Sequence, residues 1–334
     1  YTKGFTDQLQ ALDIPYIYID SNIKDVPPLA FFGQNSRQSG YFAARMMMLL
    51  ARDEKEIVIF RKIHEGIVGS NQQENREIGF RQYMEEHHPS YNILELDLHV
   101  SKDHQVVVSH DAYFNAVKAY TPTGDTIPEE QMKSYKLYAM DYDSISKYDV
   151  GTHPNPRFPQ RKSLKCKVPL VSELIDSVEN YTKTHSLPLV SYNIEIKSDP
   201  SKDGIFTPDY KIFADLCISV LLTKKLGNRL LVQCFDVRTL NYLHERYPTL
   251  RLSYLVEDHV TPFDEQMKRL SFTPQVYSPE YDLVTKELVQ KAHARHMEVA
   301  PWTVDNRSDV FRLKQLGVDA IITNQPDSVM HWLH

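Results

Sequence analysis

Leu94-Glu95-Leu96-Asp97-Leu98-His99 alternates strictly between apolar and polar residues. On an extended strand, successive side chains point to opposite faces, so Glu95, Asp97 and His99 share one face and the leucines the other. With the leucines packed on outer helices, two carboxylates face inward. Tyr192-Asn193-Ile194-Glu195-Ile196-Lys197 repeats the device, with Asn193, Glu195 and Lys197 on one face. Burying several unpaired carboxylates is very costly, so such a face demands a cation. Three carboxylates beside Lys197 suit a hard, oxygen-ligated ion, Mg²⁺ or Ca²⁺, near an anionic substrate. A solvated strand face is the competing reading for either stretch alone. Two such strands in one alternating β/α chain weigh against it.

Outward from these stretches, strand-like runs rich in β-branched and aromatic residues recur. They are Ile14 to Ile19, Glu56 to Phe60, Ile93 to Leu98, Val106 to Ser109, Tyr192 to Ile196, Leu230 to Phe235, Leu252 to Val256, Gln275 to Ser278, Glu298 to Val304 and Ala320 to Thr323. Helical patterns lie between them at Ser39 to Arg52, Asn71 to His87, Leu170 to His185, Pro208 to Leu226, Val237 to Tyr247, Thr285 to Arg295 and Ser308 to Leu316. Alternating β and α units predict a mostly parallel sheet, open or closed into a barrel. Two stretches break the rhythm. Ser101 to Gln105 reads as a hairpin turn. Tyr120 to Lys167, rich in Tyr and Pro, is too long for a plain connection and is expected to cap the site.

The chain has 334 residues, enough for one large domain or two modest ones. Its formal net charge of −6, without a basic block, argues against nucleic acid as a partner. No apolar run reaches membrane-span length, and Phe42 to Ala51 is interrupted by Arg45. The polar stretch Tyr1 to Leu12 does not read as a signal peptide, and with no initial Met a processed or trimmed terminus is expected. Cys166, Cys217 and Cys234 form neither a disulfide framework nor a metal motif. Cys217 and Cys234 read as core residues.

Leu94 to Asp97, Ser101-Lys102-Asp103 and Val106-Val107-Val108-Ser109-His110-Asp111 together resemble the E-x-D…T-K-D-G…V-V-x-H-D signature of glycerophosphodiester phosphodiesterases. The match continues in order through Pro169-Leu170, Asn193 to Lys197, Val232-Gln233-Cys234-Phe235-Asp236, Pro301-Trp302-Thr303-Val304 and Ile321 to Asp327. The resemblance implies an α/β fold of TIM type, a (β/α)8 barrel with its site at the C-terminal strand ends. It implies Glu95, Asp97 and Glu195 as ligands of a divalent metal. It also implies His110 as one of two catalytic histidines and Lys197 as a phosphate contact, where a lone His would otherwise be a loop residue. Trp302 either lines the alcohol pocket or fills the barrel mouth. The implied reaction is metal-dependent hydrolysis of a small glycerophosphodiester to an alcohol and glycerol phosphate, in the periplasm or outside the cell.

The family opens with a first strand ending in His-Arg-Gly, followed by Pro-Glu-Asn-Thr, and neither occurs here in proper form. What precedes Leu94 is instead similar to the sugar-sensing domain of lac-repressor-type regulators and periplasmic binding proteins. That likeness rests on Ile14 to Ser21, Phe32 to Tyr41 and Ser70 to Arg81. The chain thus reads as a chimera. Residues 1–55 form an appended βα layer, 56–93 a βα unit from the flavodoxin-like fragment serving as first barrel unit, and 94–334 the remaining barrel, with 120–168 as cap. His64, followed by Glu65, falls near the position of the lost His-Arg-Gly and is a candidate surrogate catalytic histidine. Glu65 in place of Arg would repel a phosphodiester. The alternatives are a catalytically inactive chimera and a sugar-binding sensor module.

Overall fold

The computed structural model describes residues 17–19, 30–32, 38–39, 41–43, 45 and 93–333 except 156, 157, 160 and 186. The chain divides into two compact units between Tyr91 and Asn92. In the first, β1 (Ile17–Ile19) pairs in parallel with β2 (Ala30–Phe32). The described residues of the predicted Ser39 to Arg52 helix are helical. The proposed first barrel unit at 56–93 lies outside the described residues up to Ile93, as does His64.

In the second unit, β3 (Ile93–Val100) turns into the short antiparallel β4 (Val106–Val108). The turn closes with Ser101 N–H donating to the Gln105 carbonyl at 3.0 Å, and His104 takes a φ of 61°. His104 stands where the T-K-D-G signature has glycine, the residue that adopts this left-handed conformation without steric cost. Next come the short α1 (Tyr142–Ile145), α2 (Val171–Thr184), β5 (Ser191–Ile196) and α3 (Tyr210–Thr223). β6 (Leu230–Cys234), α4 (Val237–Arg246), β7 (Arg251–Val256) and α5 (Phe263–Met267) follow. The chain finishes with β8 (Val276–Pro279), α6 (Lys286–Ala294), β9 (Glu298–Val299), α7 (Arg307–Leu316) and α8 (Pro326–Leu333).

Among the described residues the sheet has seven strands in the order β4-β3-β5-β6-β7-β8-β9, parallel except for β4. Its two faces differ as alternation requires. Leu96, Leu98, Tyr192, Ile194, Ile196, Val232 and Cys234 join the apolar core with helix residues such as Phe213, Leu221 and Leu240. Asn193, Glu195, Gln233, Ser253 and Ser278, all buried and polar, have the opposite parity, as does His99 on β3. This is the outer and inner face of a TIM-type barrel wall. Cys217 and Cys234 are fully buried.

Helix starts are fixed by short polar side chains. Asp209, Asp236 and Thr285 accept hydrogen bonds from the backbone N–H groups of Lys211, Arg238 and Leu288, satisfying donors that the first helical turn leaves open. Gly317, at φ 83°, ends α7.

The structure departs from the sequence reading at several points. The strand at β2 and helices α1, α5 and α8 were not anticipated, and the strand expected at Ala320 to Thr323 is not formed as a regular element. The segment Glu298 to Val304 is regular only at β9, because Pro301 has no N–H to continue the ladder. Its pairing nevertheless persists, with Val304 N–H donating to the Ile322 carbonyl at 2.8 Å. Between β4 and α2, Val107, Phe114, Ala119, Ile127, Leu137, Ile145 and Val168 form a small core of their own. This segment rests on the β3–β4 turn, where Lys102 N–H donates to the Met140 carbonyl and Asp103 accepts from Tyr142 N–H, each at 2.9 Å.

Candidate active site

The parallel register places Asp97 directly beside Glu195 and Glu95 beside Asn193. Carboxylate oxygens of Glu95, Asp97 and Glu195 lie within 4.8 Å of one another. Lys197, two residues beyond Glu195 and therefore on the same face, brings Nζ to 3.0 Å from Glu195 Oε1 and 3.1 Å from Asp97 Oδ1. Burial, followed by repulsion from Asp97, pushes the Glu95 carboxyl up to about 7. Burial pushes Glu195 up to about 8, against the opposing pull of Lys197. Burial also works against the Lys197 ammonium, but Glu195 and Asp97 outweigh it and raise its pKa.

These groups fit a hard divalent ion. They offer three anionic oxygen donors, two of which resist ionisation unless a cation faces them, and a lysine ammonium already bridges two of the three. A second grouping, His259, Glu280 and Asp282, sits beyond the ends of β7 and β8 and is more exposed; His259 Nε2 is 2.8 Å from Glu280 Oε2.

His110 comes to the cluster through the hairpin. β4 runs back along β3, and the next residue, Ser109, donates its N–H to the Asp97 carbonyl at 2.9 Å. The His110 side chain is exposed, with Nδ1 3.0 Å from Asp111 Oδ1. Asp111 is itself held by Lys118 Nζ at 2.8 Å and Asn115 Nδ2 at 3.2 Å. Burial would raise its pKa, but the hydrogen bonds from His110 and Lys118 outweigh it and hold the carboxyl far below its usual range. Asp111 is therefore a fixed anion orienting the imidazole through one nitrogen.

His99, the third polar residue of β3, is 2 % exposed and stacks on Phe213 at 6.4 Å. Burial lowers its pKa to about 4, so it is neutral at ordinary pH. Trp302, just past β9, donates its indole N–H to the Ser278 carbonyl at 2.9 Å and meets Phe235 edge to face at 5.4 Å.

The fold thus brings together Glu95, Asp97, Glu195 and Lys197, sets His110 on the adjoining hairpin, and leaves Trp302 at the strand ends farther round the sheet. Sequence reasoning did not single out Asp111, Lys118 or Gln233. Gln233 donates to Glu95 Oε1 at 2.8 Å. Its signal was present: a lone amide at an inward position of the otherwise apolar Leu230-Leu231-Val232-Gln233-Cys234.

Comparison with known proteins agrees with this geometry. The glycerophosphoryl diester phosphodiesterase family model matches residues 81–328, and a periplasmic binding protein domain matches residues 2–121. A glycerophosphodiester phosphodiesterase of Bacillus subtilis is 25% identical over 242 residues, covering 71% of this chain and 74% of the relative. One from Caldanaerobacter subterraneus subsp. tengcongensis is 24% identical over 239 residues, 71% of this chain and 84% of the relative. Among solved structures, a Silicibacter pomeroyi protein named for the same family superposes with a TM-score of 0.62 at 25% identity, covering 76% of this chain and 86% of that one. An Oleispira antarctica phosphodiesterase in complex with sn-glycerol-3-phosphate gives 0.55 at 17% identity, covering 73% and 85%, a likeness of fold. With some three-quarters of its length in the matched region, this chain belongs to the glycerophosphoryl diester phosphodiesterase family, a family of phosphoric diester hydrolases.

Proposed function

We propose that this protein hydrolyses small glycerophosphodiesters to an alcohol and glycerol phosphate, with Glu95, Asp97 and Glu195 holding Mg²⁺ or Ca²⁺. The observation that carries the reading is the convergence of three carboxylates within 4.8 Å, bridged by Lys197. When bound there, a divalent ion supplies Lewis-acid polarisation of a phosphoryl oxygen. Lys197, whose ammonium lies against Asp97 and Glu195, would offer its positive charge to the phosphate anion of a substrate beside the cluster. His110, oriented through Nδ1 by Asp111, keeps Nε2 for moving a proton. In the net reaction a water oxygen bonds to phosphorus, the bond to the alcohol oxygen breaks, and the alcohol oxygen gains a proton. Phe235 and Trp302 offer an aromatic wall for the alcohol.

Turnover is lowered relative to a full family member, because no His-Arg-Gly precedes Glu95. One lost acid–base partner costs on the order of 10²–10⁴ in rate. His64 is the candidate to replace it, with Glu65 opposing the phosphate. The match of residues 2–121 to a periplasmic binding protein domain supports the chimeric reading of the N-terminal part. We propose a periplasmic or extracellular location, an expectation that rests on the family resemblance alone and that fractionation of the source organism tests. No helix among the described residues is long and apolar enough to cross a membrane.

The deciding experiment is hydrolysis of glycerophosphocholine with Mg²⁺ or Ca²⁺, repeated in EDTA and with Glu195→Gln. Activity that persists through either treatment overturns the metal reading. No activity in any condition leaves the inactive chimera.

A further inference from the structure

Behind the carboxylate cluster, two neighbouring strands lay down a line of buried amides. Asn193 on β5 is 5% exposed and Gln233 on β6 is 1% exposed. Gln233 Nε2 donates to Glu95 Oε1 at 2.8 Å, and Gln233 Oε1 accepts from Asn193 Nδ2 at 2.8 Å. At the far end, Asn193 Oδ1 is buried without a hydrogen-bond partner.

The direction of this line is set from one end. Ionised beside a bound cation, the Glu95 carboxylate would only accept, so Gln233 turns its NH₂ group toward Glu95 and its carbonyl away. That carbonyl needs a donor, so Asn193 must present its NH₂ group as well. The carbonyl of Asn193 is then the group left over. An unsatisfied buried carbonyl is costly, and the arrangement puts that cost at the end of the line distant from Glu95 rather than at Glu95 itself.

We propose that Gln233 is a positioning residue that fixes Glu95 as a metal ligand, and that Asn193 fixes the orientation of Gln233. With Oε1 held, the Glu95 carboxylate cannot swing away, and its remaining lone pairs keep one direction. Partners of this kind alter metal affinity by about 10–100-fold. The inference rests on the reading of Glu95, Asp97 and Glu195 as a cation site.

Its test is Mn²⁺ binding to the full chain by calorimetry, with thermal unfolding in EDTA as the measure of folding. Gln233→Leu is expected to bind Mn²⁺ about 10–100-fold more weakly, while still unfolding cooperatively in EDTA, at a temperature lowered by the Asn193 amide left without its acceptor. Asn193→Leu loses less, in the same direction. Because Asn193 acts through Gln233, the double variant binds no more weakly than Gln233→Leu alone. Wild-type affinity in Gln233→Leu overturns the proposal, and losses that multiply in the double variant overturn the role of Asn193. If Gln233→Leu does not fold, Gln233→Met carries the test, since it keeps the length and drops the donor. A wild-type protein whose Mn²⁺ binding is absent, or is unaffected by Glu195→Gln, overturns the cation site and this inference with it. Normal binding by wild type and Gln233→Leu alike overturns the positioning role alone.

Discussion

Lys197 holds its ammonium 3.0 Å from the Glu195 carboxylate, so the anionic cluster carries a positive charge from its own chain. On the proposed reading, lysine and a metal ion would compete for the same oxygens. Lys197→Met should therefore lower stability in EDTA by up to about 3–5 kcal/mol, the usual cost of leaving a buried charge without its partner. Added Mg²⁺ should recover more stability in the variant than in wild type. Thermal unfolding with and without metal measures both. An equal metal response in the two proteins would show that Lys197 and the ion do not share a site.

Stability in EDTA should fall as pH rises. Glu95 and Glu195 have folded pKa values raised to about 7 and about 8 from an unfolded value of 4.5. Between about 4.5 and 8 the folded protein therefore holds more protons than the unfolded chain, and unfolding becomes easier with each step upward. The contribution is complete below the unfolded value and gone above the folded one. Glu195→Gln should flatten the slope, and so should Mg²⁺, which favours the ionised form. Unfolding temperatures from pH 5 to pH 8.5 check this, and a wild-type slope unchanged by Glu195→Gln would contradict it.

His110→Ala should reduce kcat by about 10²–10⁴, the range for a lost general acid or base. Asp111→Asn keeps the imidazole but changes what orients it, so its loss should be smaller and its pH–rate profile displaced. Equal losses with an unchanged profile would mean that Asp111 serves the hairpin rather than the histidine.

His104→Gly should stabilise the protein by about 0.5 kcal/mol. Relief of the left-handed backbone at φ 61° is worth about 1–2 kcal/mol. The added freedom of glycine in the unfolded chain takes back roughly 0.5–1 kcal/mol. Urea denaturation measures the difference, and a destabilised variant would mean that the histidine side chain contributes more than the turn costs.

The parts of this molecule that sequence could disclose are those with a short period. Leu94 to His99 and Tyr192 to Lys197 announce their two faces by alternation, and the register that sets Asp97 beside Glu195 follows once both face inward. The family signature supplied the order of the remaining strands. Pairings between distant side chains carry no such period. Nothing in the sequence says that Gln233 reaches Glu95, or that Lys118 reaches back to Asp111 across a loop. The segment from Tyr120 to Lys167 was legible only as irregular, because its core is built from single apolar residues such as Ile127, Leu137 and Ile145 spread over many turns. The burial of His99 was also hidden, since its place in the alternation put it with the carboxylates, whereas its ring packs on Phe213.

The hairpin of β3 and β4 has an evolutionary consequence. Two metal-ligand candidates and the proposed acid–base histidine lie on one continuous stretch, Glu95 to His110, closed on itself by the bond from Ser109 to Asp97. A crossover just upstream of Leu94 inherits that stretch whole. Exchange of the leading segment therefore discards only what the first strand brought, and leaves the descendant with most of its chemistry in a single piece of inherited chain.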